Sequence, residues 1–453
     1  MAKTKKAEAL TLEEKLQQAL VPQEEQPYKV PENWCWVKFG TVCKLENGYA
    51  FKSESFSKKE GIPLVRISNI NNNIVDLESC VYTTEVNVDD KYFIENGDLL
   101  IAMSGATTGK NGVYHSDRIA YLNQRVGNIK IINKRVIIPL FRNLYILNAE
   151  KEILNMAYGG AQPNISSGKI CDMFLPLPPL PEQQRIVECI ESLFAKLDEA
   201  KEKAQEVVDG FEERKAAILH KAFTGELTAK WRAEHGIGMD SWEEKTLESV
   251  CNSIFDGDHM PPPKSETGVP FLVISNVNTG YLSFDNTRFV PESYFKGLSN
   301  SRKPEYGDVL YTIVGSYGIP VIVDSDKEFC FQRHIALLKP KSINSYYLWY
   351  CLQSREVFNK VTDIATGTAQ LTVPIKGLRK IKINCASFDE QVEIVNIVND
   401  MFVKEQLVKR NAESTIKKIE LIKKSILAKA FRGELGTNNP EEESSIKALK
   451  ECL

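Results

Sequence analysis

The chain is 453 residues long, 43% hydrophobic and 26% charged, which matches ordinary soluble protein and allows two to four domains. Its net charge of −3 gives no global basic field, which argues mildly against a free-standing DNA-binding protein but leaves room for local patches such as Lys376–Lys382. The ten cysteines form no C-x-x-C pair, no run approaches the ~18 apolar residues of a membrane span, and the charged opening MAKTKKAEALTLEEK lacks the apolar core of a secretory signal. A reduced, cytoplasmic protein is expected, without a zinc site or membrane association.

Residues 1–30 contain one short amphipathic helix, TLEEKLQQALV, which has no partner of its own and is expected to dock on a helix pair. Residues 31–176 are strand-rich. Leu64–Ile67, Leu99–Ala102 and Val126–Ile132 are apolar runs punctuated by turns such as Glu95-Asn96-Gly97-Asp98, and a helical stretch near 139–158 interrupts them. The PLPPLP of 176–181 predicts a stiff, extended spacer. A central helical region, 177–241, follows. From Glu182 to about Thr224 it has no proline and only Gly210, and Ile190, Leu197, Ala204, Phe211 and Ile218 stand seven apart. That pattern predicts a coiled-coil helix roughly 65 Å long. Residues 242–384 repeat the strand-rich texture. Residues 385–436 form a distal helical region with its own seam of Val398, Glu405, Ala412, Ile419 and Ile426, broken only at Glu405. The acidic tail, 437–453, is expected to be flexible.

The two halves are one sequence written twice. An offset of 208 carries Trp34 onto Trp242, Gln124-Arg125 onto Gln332-Arg333, Glu182 onto Glu390 and Gly225 onto Gly433. It also carries Gly159-x-Ala161-Gln162 onto Gly367-x-Ala369-Gln370, so a single register is expected throughout. The fold class is α+β: two tandem domains, separated and joined by two long antiparallel helices, with an internal pseudo-two-fold. These helices carry more apolar residues than a two-helix seam consumes. Ile186, Ile190 and Leu193, and Ile394, Ile397 and Met401, cover broad faces that predict partner binding. The competing reading is a plain spacer or dimerisation device.

No reaction is legible. Ser104–Lys110 fails as a phosphate loop, because three residues separate its glycines and Asn111 follows the lysine. No Asn/Asp-Pro-Pro-Tyr/Phe box exists, and the five histidines show no metal-ligand spacing. A recognition module is therefore expected rather than an enzyme.

Several motifs resemble the specificity subunits of type I restriction–modification systems across essentially the whole chain. They are Pro176-Leu-Pro-Pro-Leu-Pro-Glu-Gln-Gln-Arg-Ile-Val187 leading into the first long helix and Phe223-Thr-Gly-Glu-Leu-Thr-Ala-Lys-Trp-Arg232 after it, with Gly48-Tyr-Ala-Phe-Lys-Ser53, Gly97-Asp-Leu-Leu-Ile101 and Asp256-Gly-Asp-His259. The second proline-rich segment is degenerate. The resemblance implies that each strand-rich domain reads one half of a split double-stranded DNA site and that the helices set the gap. It also implies two modification subunits carrying S-adenosylmethionine and two restriction subunits using ATP and Mg, with no cofactor on this chain. A pseudo-symmetric adaptor that never touches DNA is the alternative from another class.

On that reading, polar loops that differ between the halves are the DNA-binding candidates: Asn69 against Asn276, and Asn123, Gln124 and Arg125 against Gln332, Arg333 and His334. Arginine suits guanine, and asparagine or glutamine suits adenine. Lys52, Lys110 and Lys264 suit phosphate. Gln162 and Gln370 sit in glycine-containing loops, and His259 and Tyr317 complete the set. For each, a solvated charge or a turn-stabilising side chain is the competing role.

Overall fold

The computed structural model describes residues 11–453 apart from 72, 86–87, 159–162, 260 and 369. It divides into two compact units, Met1–Glu202 with Thr415–Leu453, and Lys203–Ser414. Each unit joins one strand-rich domain to segments of both long helices. Among the described residues no helix is long and apolar enough to cross a membrane.

In the first unit, strand Leu99–Ala102 lies inside a six-stranded sheet, flanked by Val126–Ile131 and Asn111–Val113. All four of its residues are buried. Successive side chains of a strand point to opposite faces. Accordingly Leu99 and Ile101 enter the main core, while Leu100 and Ala102 enter a second core beneath a five-stranded sheet. The second unit repeats this around Val309–Thr312, with Val309 and Tyr311 in one core and Leu310 in another. Continuous apolar runs are what a strand covered on both faces requires.

The long helices close the main cores. Ile186, Val187 and Ile190 pack with Leu427, Ala430 and Phe431 in the first unit. Ile218, Leu219 and Phe223 pack with Ile394, Val395 and Val398 in the second. This corrects the expected partner surface: Ile186, Ile190 and Ile394 are 0% exposed, because the second neighbour their wide stripe needs is the chain's own strand-rich domain. Leu193, Ile397 and Met401 remain half-buried. Within each unit the two helices run antiparallel. Lys201 bonds Glu420 at 2.6 Å and Lys423 pairs with Asp198 in the first. In the second, Arg214 pairs with Glu405 at 2.7 Å, which accounts for the one charged residue in the seam.

The first long helix spans Leu180–Asp209 and continues as Phe211–Phe223, while the second spans Phe388–Phe431. At Gly210 the backbone stays helical, and Arg214 Nη2 donates to Val207 O at 2.8 Å. The proline-rich stretch is not a spacer. Pro176 lies in strand Phe174–Leu177, paired with Cys35–Lys38, and Pro181 sits in the first helical turn, where no donor N–H is needed.

Two buried carboxylates anchor the helix starts. Glu182 accepts from Trp34 Nε1 at 2.6 Å and Asn438 Nδ2 at 2.8 Å. Glu390 accepts from Trp242 Nε1 at 3.0 Å, and from Thr228 Oγ1 and Arg232 Nη1 at 2.6 Å each. The tail, expected to be flexible, is instead docked. Glu442 grips Arg185 through two bonds of 2.7 and 3.0 Å, and Asn33 Nδ2 donates to Asn439 O. Helix Ser445–Lys450 buries Leu449 to 1% exposure and contacts helix Leu12–Ala19. Ile446, Leu449, Cys452 and Leu453, all in or against the first unit's core, outweigh the acidic linker before them.

Candidate nucleic-acid interface

In each unit the two sheets meet at one tight turn. In the first it joins strands Ala120–Leu122 and Val126–Ile131, with Val126 N donating to Asn123 O at 2.8 Å. In the second it joins Cys330–Phe331 and Ile335–Pro340, with Ile335 N donating to Gln332 O at 3.1 Å. A glycine makes the junction possible. A Cβ at Gly48 would stand 2.1 Å from Asn123 O, and one at Gly257 2.2 Å from Phe331 O.

These bonds fix the register between the repeats, and it is not constant. Asn123 matches Gln332, so Gln124 matches Arg333 and Arg125 matches His334, an offset of 209 rather than 208. Arg125 and Arg333 are therefore not equivalents. Met103 and Ile313, which donate at 2.9 Å to the carbonyls of Arg125 and His334, are 210 apart. Single-residue insertions inside the domain shift the frame, and the helices restore it.

Beside each turn opens a cleft. The first, about 230 Å³, is lined by Asn47, Met103, Ser104, Gln124, Arg125 and Asn164–Ser167. The second, about 360 Å³, is lined by Asp256, His259, Ile313, Val314, Arg333, His334, Gln370 and Thr372–Ile375. The backbone frame is the same. Ile165 N donates to Met103 O, and Val373 N to Ile313 O. The linings differ: asparagine at 47 is aspartate at 256, and arginine at 125 is histidine at 334. Gln124, Arg125 and Arg333 are exposed, and their side chains make no hydrogen bond or ion pair among the described residues. Ser104 Oγ is buried and likewise unpartnered there. In the second cleft Asp256 holds His259 Nε2 at 3.0 Å. Burial, and then the Arg333 guanidinium, lowers the pKa of His334 below the usual histidine value.

The other candidates divide. Gln370 lines the second cleft against Gly315, where a Cβ would stand 2.9 Å from Gln370 Nε2 and a φ of +71° favours glycine. Its counterpart Gln162 lies outside the described residues. Asn123 and Gln332 fix the turns through their backbones. Asn69 and Asn276 are buried caps, not readers: their Oδ1 atoms accept from Arg66 N and Val273 N at 2.9 and 3.0 Å, and their Nδ2 atoms donate to Ser79 Oγ and Asp285 O. Tyr317 stacks on Phe358 and donates to Thr362 Oγ1, so its ring and hydroxyl are already used. Lys52 and Lys264 are exposed on loops outside the clefts, and Lys110 faces a different cavity, beside the long helices. Asn47, Ser104 and Asn164 carried no sequence signal of their own; the constant offset of 208 pairs Asn164 with Thr372, but only a gapped repeat alignment would have paired Asn47 with Asp256 and Ser104 with Val314.

Two α+β domains that share a frame and differ in the polar lining of one cleft, each seated on a long-helix pair, define a paired recognition module. The chain belongs to the family of the type I restriction modification DNA specificity domain, whose model matches residues 31–208 and 239–418. It is similar to the specificity subunit of the type I restriction enzyme EcoBI of Escherichia coli, 27% identical, covering 94% of this chain and 92% of that one. It is also similar to the EcoKI specificity subunit of Escherichia coli strain K12, 26% identical over 94% and 96%. The fold matches the HsdS subunit from Thermoanaerobacter tengcongensis with a TM-score of 0.58, 20% identity and coverage of 91% and 100%. A chain from work on complex assembly and conformational transition of the type I R-M system gives a TM-score of 0.66, 20% identity and coverage of 90% and 100%.

Proposed function

We propose that this chain gives a type I restriction–modification complex its DNA address, with each cleft reading one half of a split, asymmetric duplex sequence. The carrying observation is the pair of matched clefts, whose frame is constant while the side chains with unused hydrogen-bonding capacity differ. Such side chains can meet base edges, whereas phosphate contacts position without specifying. The long helices set the gap and hold two modification subunits. The apolar residues they leave exposed support that role: Val403, Leu407 and Val408 in the second unit, Leu421 and Ile422 in the first. In this reading the modification subunits carry S-adenosylmethionine and methylate adenine N6. Two restriction subunits bring ATP- and Mg-dependent translocation and cleavage, in the cytoplasm, and this chain binds none of those cofactors. Partner subunits also supply much of the phosphate neutralisation that a net charge of −3 cannot.

The test is a domain exchange. Replacing residues 31–176 with those of a relative, in cells carrying the partner subunits, should change one half of the methylated motif and leave the other half and the gap fixed. Methylome sequencing reads this directly. Both halves changing together would refute independent reading, and no methylated motif at all would favour the DNA-free adaptor.

A further inference from the structure

A second pair of cavities lies between each strand-rich domain and its long helices, and here the 208 register holds. Phe194, Glu420, Lys423 and Leu427 line the first; Phe402, Glu212, Lys215 and Leu219 line the second. In each, a lysine from one helix lies over the phenylalanine of the other, at 4.9 Å in the first unit and 5.3 Å in the second. The two copies differ in charge balance. Lys423 is neutralised by Asp198. The residue 208 after Asp198 is Gln406, and Lys215 makes no ion pair among the described residues. Burial depresses its pKa, with Glu212 opposing.

The walls around Lys215 combine aromatic side chains with the polar Asn278, Thr279 and Gln353. Tyr281 stands 75% exposed at the rim, with Trp349, Pro320 and the Phe402 ring lining the interior, in a cavity of about 370 Å³. A half-buried ammonium facing an open cavity is stabilised by one counter-anion brought in from outside. Glu212 lines the same cavity, so the site carries no net positive charge to draw in a polyanion such as a DNA backbone, and only a group that reaches Lys215 itself can pair with it. A single carboxylate on an otherwise apolar body gains both the charge-assisted bond and the aromatic contact.

We infer that the Lys215 cavity is a docking site, present in the second unit only, for a partner-protein segment that presents one carboxylate beside an aliphatic or aromatic side chain. The partner is the modification subunit, which rests on the function proposed above. Charge complementarity selects the occupant: one cation with no ion pair among the described residues, aromatic walls beside it, and an equivalent lysine in the first unit already neutralised by Asp198.

The test uses the full chain with its own modification subunit. Lys215→Met keeps the stem and removes the charge; Lys215→Glu reverses it; Lys423→Met is the control in the neutralised copy. Titrations followed by mass photometry should show about 10-fold weaker uptake of one modification subunit for Lys215→Met and about 100-fold for Lys215→Glu, with Lys423→Met within about 2-fold of wild type. Lys215→Met should unfold at or above the wild-type temperature, since it removes a half-buried charge, and this separates lost docking from lost folding. Unchanged uptake by both Lys215 variants would overturn the site while leaving the family function standing. Uniformly weaker DNA binding with normal subunit uptake would overturn it in favour of a nucleic-acid occupant. A wild-type chain that takes up no modification subunit would overturn both readings.

Discussion

Arg125→Ala and Arg333→Ala test the proposed reading role of the two clefts most directly. Both side chains are exposed and neither has a hydrogen-bond or ion-pair partner among the described residues, so stability should change by less than about 0.5 kcal/mol. Any change in binding then belongs to the ligand. A two-bond contact to guanine contributes about 1–3 kcal/mol, or roughly 5–150-fold in affinity, and its loss relaxes preference at one base position in one half-site. Because Arg125 matches His334, and Arg333 matches Gln124, the two affected positions should not be related by the pseudo-symmetry of the halves. A phosphate contact predicts a different result: weaker binding to every sequence, and a salt slope smaller by about one unit. Titrating the assembled methyltransferase on single-base variants of its site, at two salt concentrations, separates the two. If neither specificity nor salt slope moves for either variant, the clefts do not read DNA through these arginines.

Arg232→Met should destabilise the second unit by about 3 kcal/mol, because it leaves Glu390 buried with only Thr228 and Trp242 as donors. Calorimetry should show that unit unfolding about 6–12 °C lower, with much of the loss recovered in Arg232→Met/Glu390→Gln. Leu449→Ala should cost about 2–4 kcal/mol and lower protection from hydrogen exchange in the first unit alone, since Leu449 is 1% exposed in that unit's core. Among the ten thiols, a native-state disulfide-exchange reagent should react quickly with at most Cys171, Cys189 and Cys452, the partly exposed ones. Burial pushes Cys43, Cys251 and Cys330 up to about 12, so a fourth fast thiol would contradict the core assignment. His334 has a lowered folded pKa, so the unfolded chain takes up the proton first as pH falls through the ordinary histidine value near 6.5. Its share of stability should therefore be present at neutral pH and be lost on acidification, and His334→Gln should flatten that slope in a urea-denaturation series.

Periodicity and repetition carried most of the architecture. Heptad spacing located both long helices, and the apolar run at 99–102 is a buried strand, while the run at 64–67 is strand only to Val65 and passes into a 3-10 turn at Ile67. Residues whose partners lie far away in sequence were not legible. Ile186 and Ile394 read as a surface because nothing local says that a strand-rich domain covers them. The tail read as disordered because its acidic linker dominates composition, while its anchors, Asn33, Arg185 and Glu182, stand more than 250 positions earlier. Asn69 and Asn276 show the limit for site residues: an asparagine that caps a turn and one that reads a base look alike until the turn is seen. A constant offset mispairs Arg125 with Arg333, because single-residue insertions accumulate in the loops that distinguish the two clefts.

The first unit draws on both ends of the described sequence, Lys203–Ser414 on one contiguous stretch. A ribosome therefore finishes the second unit before it has supplied Thr415–Leu453 to the first. At roughly 5–20 residues per second, the first domain waits tens of seconds for the helix that carries Phe431 and the tail that carries Leu449. Through that interval Ile186, Val187 and Ile190 lack part of their cover, and the Glu182 carboxylate lacks Asn438. Completion of the first unit therefore comes after completion of the second, although its strand-rich domain is made first.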